Sequence, residues 1–386
     1  MKVLHFYKTY YPDSLGGAEQ VIFQLAEGGR AHGIESQVLY LSKRGDALNE
    51  TMGHHRSHRA RKDLDIASTG LSVSALRLFR QLAADVDVIH YHFPWPYMDV
   101  VHFATRVNKP MLITYHSDIV RQSLLERLYR PLMKRFFAQT NVIVASSPNY
   151  VASSPVLQNL KGKVRVIPFG LSEATLPSAP PQHGALLTDS LGNRFFLFVG
   201  VLRYYKGLNY LLEAAARAPY PIVIAGDGPC QAALRKQAAR LNLSNVVFAG
   251  RISEAHKAEL LRACTALVFP SHLRSEAFGI SLLEAAMAGK PLISCEIGTG
   301  TSYINLHGET GLVVRPADPQ ALVEAMRTLW DDQQLCATFG RNARARALTH
   351  FSVEKMTAAY ALAYRDCIEM HGHTTAAVVG AANRQG

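Results

Sequence analysis

Short apolar runs recur along the whole chain, each followed by a longer segment whose apolar positions return every three or four residues. In the first 170 residues the runs are KVLHFY, SQVLYL, DVIHYH, MLITYH, NVIVAS and VRVIPFG. After residue 193 they restart as FFLFVG, PIVIAG, NVVFAG, ALVFPS, PLISCE and GLVVRP. Runs that are apolar at nearly every position predict strands buried on both faces, and the amphipathic spacers predict the helices that cover them. The pattern is that of an α/β chain with two doubly wound parallel-sheet domains, over residues 1–170 and 194–352. Between them LSEATLPSAPPQHGALLTDSLGN, residues 171–193, is rich in Pro, Ser and Gly and has little periodicity, which predicts a linker. SVEKMTAAYALAYRDCIEM predicts a last helix over 353–370, and residues 371–386 read as a disordered tail.

Composition narrows the picture. A length of 386 residues leaves room for two ordinary domains, each with its own core. The amino terminus starts like a buried strand and lacks the apolar stretch and small-residue cleavage site of a signal peptide. No stretch approaches the roughly 18–20 apolar residues of a membrane span. The five cysteines are scattered and odd in number, which fits neither a disulfide framework nor a zinc pattern and points to a reducing cytoplasm. The net charge of +11 asks for an anionic partner. Residues 1–180 carry 21 basic and 14 acidic side chains, so the excess is heavier in that half. No basic block interleaved with aromatics supports nucleic acid, which leaves an anionic membrane or a phosphorylated substrate.

Phosphate chemistry is suggested where strands give way to helices, the usual place for ligands in this architecture. In DSLGGAEQ, Gly16 and Gly17 precede a helix and would let backbone N–H groups approach an anion, although a tight turn needs the same residues. The pair is not G-x-G-x-x-G, so a nicotinamide cofactor finds little support. In FVGVLRYYKGL, Arg203 and Lys206 offer a fork and a point charge to a diphosphate; alone, they are equally a solvated pair at a strand end. Gly226 and Gly228 in IAGDGPC mark another such turn. In SEAFGISLLEAAMAGKP, Glu276 lies just before a helix and Glu284 about 7 Å along its axis. The helix terminus would receive a diphosphate and the two acids would hold the hydroxyl-rich ends, a description of a nucleotide sugar. The bland alternative has Glu276 neutralising Arg274 while Glu284 faces solvent.

EAFGISLLEAAMAGKP resembles the E-x7-E motif of glycosyltransferase family 4, retaining enzymes of the two-domain GT-B fold. GGAE, YHSD, KGL, AGDGP and GETGLVV are similar to the family's other motifs, in the same order and over nearly the whole chain. The resemblance implies two Rossmann-like domains facing a cleft, with the acceptor on residues 1–170 and the donor on the second domain. It implies that Glu276 contacts the donor sugar and Glu284 the ribose. Phe278, Gly279 and Ile280 would lie along the sugar and phosphates, and Arg203 and Lys206 on the diphosphate. His116 of YHSD would sit near the reacting carbon, and Gly16 and Gly17 would close over the phosphates. Gly200, Gly226, Gly228 and Arg251 complete the expected donor set, with His116, Arg203, Lys206 and Glu276 as the catalytic group. Many family members place an arginine directly after the glycine where this chain has Val201, and Arg203 is assigned in its stead. The family also implies a terminal helix that packs back toward the first domain.

CEIGTGTSYINLHGETGLVV is similar to bacterial O-antigen mannosyl- and rhamnosyltransferases that use GDP-sugars. The expected partners are therefore a nucleotide sugar and a polyprenyl-diphosphate-linked saccharide acceptor, with peripheral contact to the anionic inner face of the cytoplasmic membrane. Rival readings are a UDP-sugar transferase, an epimerase on the same fold, or a non-catalytic nucleotide-sugar binder; the intact Glu276, Lys206 and His116 favour an enzyme. No metal or other cofactor is expected: Asp85, Asp87, His90 and His92 superficially suggest a site, but the acids precede a buried strand and the histidines have no identifiable partner. HHRSHRARKD, residues 54–63, reads as a mobile loop near the acceptor or membrane. Within residues 121–140, Leu125, Leu128, Leu132 and Phe136 form a stripe expected to cover the sheet, with Arg127, Arg130 and Lys134 on an outer face available to lipid headgroups.

Overall fold

The computed structural model describes residues 1–66, 69–119, 123–173 and 194–382. The chain divides into two units. The first is Met1–Ser146, Ser154–Gly170 and Val353–Gly386; the second is Ser147–Ser153 and Leu171–Ser352. Of the expected linker, residues 174–193 lie outside the described residues, as do the last four of the expected tail.

The first unit is built on strands β1 (Lys2–Phe6), β2 (Glu35–Ser42), β3 (Ala47–Met52), β4 (His55–Arg61), β5 (Leu64–Ile66), β6 (Thr69–Leu71), β7 (Val88–Phe93), β8 (Met111–Tyr115), β9 (Val142–Ala145) and β10 (Val164–Val166). Eight of them form one sheet in the order β10-β9-β8-β7-β1-β2-β4-β3, and β5 and β6 make a separate hairpin. The large sheet is parallel except where β3 runs antiparallel to β4. Six of its strands are the apolar runs. The other two correct the sequence reading, because β4 lies inside the stretch expected to be a mobile loop. Its buried positions are polar: His55, Ser57 and His58 are each under 5% exposed. His55 is held by Glu27 at 2.6 Å and Tyr10 at 2.9 Å, and His58 by Gln37 at 3.0 Å. A partnered polar group is as acceptable in a core as an apolar one, so an apolarity pattern misses such a strand.

The second unit follows the pattern strand for strand. β11 (Phe196–Val199), β12 (Ile222–Ala225), β13 (Val246–Gly250), β14 (Ala266–Phe269), β15 (Leu292–Cys295) and β16 (Gly311–Val314) form one parallel sheet. The order is β13-β12-β11-β14-β15-β16. β11, β12, β14 and β15 are buried at every position, which is why their sequences are apolar without alternation. In each sheet the order reverses beside the first strand: between β1 and β7 in one unit, between β11 and β14 in the other. Ligands of such sheets bind outside the carboxyl ends of the strands at this reversal.

Two helices differ from expectation. The terminal helix runs Val353–Ala382, twelve residues past the expected end, so the expected tail is helical as far as Ala382. It lies in the first unit, against β8 and the helix Gly17–Gly28. On the helix Ser123–Gln139, Met133, Phe136 and Phe137 are buried, but Leu128 is 77% exposed. Only the later part of the expected stripe covers the sheet; the side chains of Leu125 and Arg127 lie outside the described residues.

Candidate active site

The reversal point of the second sheet carries a buried ion pair. After β11 the chain turns through a single 3-10 turn, Tyr204–Lys206, which brings Lys206 inward beneath the loop that follows β14. Its Nζ donates to Glu276 Oε2 at 2.5 Å and lies over the Phe269 ring, 4.4 Å from the centroid. Ser271 Oγ donates to the same carboxylate oxygen at 3.1 Å. Lys206 and Glu276 are 8% and 9% exposed. Two charges this far from water are tolerable only because each satisfies the other, and removal of either leaves an uncompensated charge. Glu276 thus pairs with Lys206 and not with Arg274, its alternative partner from sequence.

Three residues past Glu276, Gly279 starts the helix Ile280–Met287. Its φ of 96° is a left-handed value that favours glycine, and no side chain caps the helix. Leu282 N–H turns back to the Gly279 carbonyl at 2.9 Å, so the N–H groups of Ile280 and Ser281 are the ones offered to a ligand. Glu284 lies on the inward face, 4% exposed, and does not face solvent. Lys257 donates to it at 2.7 Å and contacts Glu254 at 2.6 Å. Burial alone would push the Lys257 ammonium down, but its bonds to Glu284 and Glu254 outweigh that and hold it above its ordinary range. The two acids of the motif therefore each rest on a lysine from another element.

The remaining donor-set residues separate into groups. Gly226 has φ 132°, and a Cβ on it would fall 2.0 Å from the Gly200 carbonyl oxygen. That close approach of the turns after β11 and β12 requires a glycine whatever the ligand. Gly228 packs in the same way against the Leu202 backbone. Phe278 is buried, with its ring edge-on to Phe351 at 6.0 Å, so its side chain builds the core under the helix start. Ile280 is half-buried at that start. Arg203 and Arg251 are exposed, and neither side chain makes a hydrogen bond or ion pair among the described residues. Leu202 is fully buried between Val201 and Arg203, which puts the side chains of both on the outer side of the loop.

In the first unit His116 follows β8, with its backbone N–H bonded to Phe93 at 2.8 Å. Its Nε2 lies 2.9 Å from His92 Nδ1, and its ring packs against Phe169 at 5.5 Å. Burial, with a smaller push from Lys8, holds it down to about 3, so it is neutral near pH 7. Gly16 and Gly17 open the helix Gly17–Gly28 as expected of a phosphate turn, but the Glu19 carboxylate folds back over them. A Cβ on Gly16 would meet Glu19 Oε2 at 2.4 Å, and Thr9 fixes Oε1 at 2.7 Å. That helix terminus already has an anion.

Ser271, Lys257 and His92 belong to these sites and carry no local signal that assigns them there. Ser271 ends an apolar run, and Lys257 reaches Glu284 only through the fold. His90 and His92 gain the partner that sequence could not supply: His5, His90 and His92 form one buried cluster. His90 spends both ring nitrogens on Tyr364 and Thr114, each at 2.7 Å. Asp85 bonds Lys2 on the surface instead.

Residues 15–174 match the family model described as Glycosyltransferase Family 4, and residues 188–346 match Glycosyl transferases group 1. The chain is 57% identical over 346 residues to the D-rhamnosyltransferase WbpZ of Pseudomonas aeruginosa, across 90% of this chain and 91% of that protein. It is 48% identical over 369 residues to the O-antigen chain mannosyltransferase C of Escherichia coli, across 96% and 99%. Sucrose-phosphate synthase from Thermosynechococcus elongatus shares the fold with a TM-score of 0.80 at 22% identity, over 94% of this chain and 98% of that one. Two doubly wound units of this kind define the GT-B fold. The chain belongs to glycosyltransferase family 4.

Proposed function

We propose that the chain moves mannose or rhamnose from a GDP-sugar to a lipid-linked saccharide during O-antigen synthesis, with retention at the anomeric carbon. The observation that carries the reading is the buried Lys206–Glu276 pair at the reversal of the second sheet, beside an uncapped helix terminus. The names of the relatives at 57% and 48% identity support the choice of sugar and pathway. Lys206, Arg203 and the helix terminus stabilise the diphosphate as the bond from C1 to its oxygen breaks. Glu276 holds the sugar and Glu284 the ribose. The acceptor oxygen bonds to C1 on the same face, and its proton passes to the departing phosphate oxygen. His116 hydrogen-bonds the sugar. These residues need no metal, because the cations and the helix terminus supply the positive charge.

The acceptor is held by the first unit, and the enzyme works at the inner face of the cytoplasmic membrane. The helix Ser123–Gln139 exposes Leu128, Arg130 and Lys134, and an apolar and two cationic side chains open to solvent support a peripheral lipid contact. No helix among the described residues is long and apolar enough to cross a membrane.

A donor panel tests the reading. GDP-mannose, GDP-rhamnose, UDP-glucose, UDP-N-acetylglucosamine and ADP-glucose are each incubated with a prenyl-diphosphate-linked N-acetylglucosamine, with and without EDTA, and products are read by mass. The expected result is a product one hexose or deoxyhexose heavier with a GDP donor, unaffected by EDTA and lost in Glu276→Ala. Turnover with a UDP donor alone overturns the donor assignment.

A further inference from the structure

Four imidazoles share one face of the first sheet. His5 of β1 pairs in register with His90 of β7, and His92 follows two residues on, so all three point the same way. His92 in turn sits opposite Thr114 of β8, and His116 lies two residues beyond it. The rings of His90 and His92 stack at 4.2 Å, and those of His92 and His116 at 5.2 Å. Tyr360 and Tyr364 of the terminal helix close over the face through Thr114 and His90.

Three of these rings form a chain that ends in the interior. His116 Nε2 meets His92 Nδ1 at 2.9 Å, and His92 Nε2 meets His5 Nδ1 at 3.2 Å. His5 Nε2, fully buried, has no hydrogen-bond partner among the described residues. Burial holds His5 and His116 down to about 3 and His92 well below its ordinary range. Each ring is therefore neutral, with one N–H and one lone pair. Two rings cannot both donate across one contact, so the proton positions of all three are coupled. Either every proton points toward His116, leaving a bare lone pair at His5 Nε2, or every proton points inward, leaving a buried N–H there. Orphaned buried N–H groups are the rarer of the two, which favours the first arrangement.

We propose that His92, backed by His5, is a positioning residue that fixes His116 as the Nδ1–H tautomer, making it a hydrogen-bond donor and not a base. His5 donates to His92, His92 donates to His116 Nε2, and the His116 proton is confined to Nδ1. The proposal deepens the role given to His116 above and rests on it for its functional consequence, but the tautomer itself does not depend on that role. A donor at this position polarises a sugar hydroxyl or steadies a negatively charged oxygen. It leaves proton removal from the acceptor to the departing phosphate.

The full-length protein labelled with 15N-histidine decides the matter by long-range 1H–15N NMR near pH 7.5, with His116 assigned by the signals lost in His116→Gln. The expected spectrum shows His116 protonated at Nδ1 and bare at Nε2; the reverse pattern in the wild type overturns the proposal. His92→Phe keeps a ring in the stack but neither hydrogen bond, so His116 should lose its single tautomer. Its kcat in the transfer assay should fall about tenfold with KM unchanged, in line with the loss of an orienting partner. His92→Gln presents N–H donors at one end of its amide and a carbonyl acceptor at the other, so it can accept from His5 and donate to His116 as the neutral ring does, and should retain both the tautomer and most of the rate. If His92→Phe keeps the wild-type tautomer, the chain does not hold it and the proposal fails. If His92→Phe does not fold, the wild-type and His92→Gln spectra still decide. If the tautomer is as stated but His116→Gln transfers sugar normally, the positioning stands and the role of His116 in the reaction is what fails.

Discussion

The two units share a layout and differ in how they stock its ligand end. In the second, the reversal of the sheet is furnished with ions: Lys206 on Glu276, Lys257 on Glu284. In the first, the equivalent strands carry uncharged rings: His5, His90, His92 and His116, joined to one another and to hydroxyls. Buried ion pairs keep full charges ready for a ligand that brings charge of its own. Neutral histidines offer direction instead, since each must choose which nitrogen carries the proton. A diphosphate suits the first kind of site and a hydroxylated sugar the second.

The largest expected effect comes from breaking the ionic side. Lys206→Ala should lower kcat about 100- to 1,000-fold, the usual loss when one preorganised donor to a developing oxyanion is removed. It should also destabilise the second unit by about 3–5 kcal/mol, because Glu276 is left buried and unpaired. The double variant Lys206→Met with Glu276→Gln should recover most of that stability in chemical denaturation but none of the rate. Recovered turnover would show that the pair serves folding alone.

Acid should break the neutral side first. His5 is held at about 3 and His58 at about 4, both by burial, against an ordinary 6.5. The unfolded chain therefore binds more protons than the folded one in this window. Stability from these rings is complete above 6.5 and drains away as pH falls, by about 1.4 kcal/mol per pH unit for each ring. The chain has two tryptophans, Trp95 in the first unit and Trp330 in the second. In Trp330→Phe, denaturant midpoints followed by fluorescence should drop steeply between pH 6 and 4. In Trp95→Phe the drop should be shallower, since among the described residues the histidines of the second unit are at most half-buried, His272 being lowered by that partial burial.

A smaller effect tests whether the glycine turns are frame or site. Gly226→Ala puts a Cβ onto the Gly200 carbonyl oxygen at a positive φ, and should cost about 2–3 kcal/mol of stability. Donor KM in the surviving folded fraction should stay near that of the wild type. The smallest belongs to the exposed arginines. Arg203→Ala should raise donor KM about fivefold or less, because a solvent-exposed charge is worth at most about 1 kcal/mol. An equal change in Arg251→Ala would mean that neither arginine has the special place assigned to Arg203.

What could be read from the sequence follows the same division. All six strands of the second unit are legible because β11, β12, β14 and β15 are buried on both faces and have no polar side chain to confuse the pattern until Ser294. β4 is not legible, because His55 and His58 are buried by virtue of Glu27, Tyr10 and Gln37, residues distant in the chain. The spacing of Glu276 and Glu284 marks a site, yet what each acid touches depends on lysines 70 and 27 residues away. The histidine chain is hidden for the same reason. Its members stand 87 and 24 residues apart and meet only through the register of three parallel strands.

The terminal helix has a consequence for how the protein is made. Tyr364 meets His90 across 274 residues, and Tyr360 meets Thr114 across 246. A ribosome adding about 5–20 residues per second needs roughly 14 to 55 seconds to travel the longer distance. During that interval the nascent amino-terminal sheet has one histidine-lined face without its cover, while the whole second unit emerges and can fold. The unit begun earlier is thus the one completed later, and a chain stalled after residue 352 would carry a finished second unit joined to an open sheet, a natural target for chaperones.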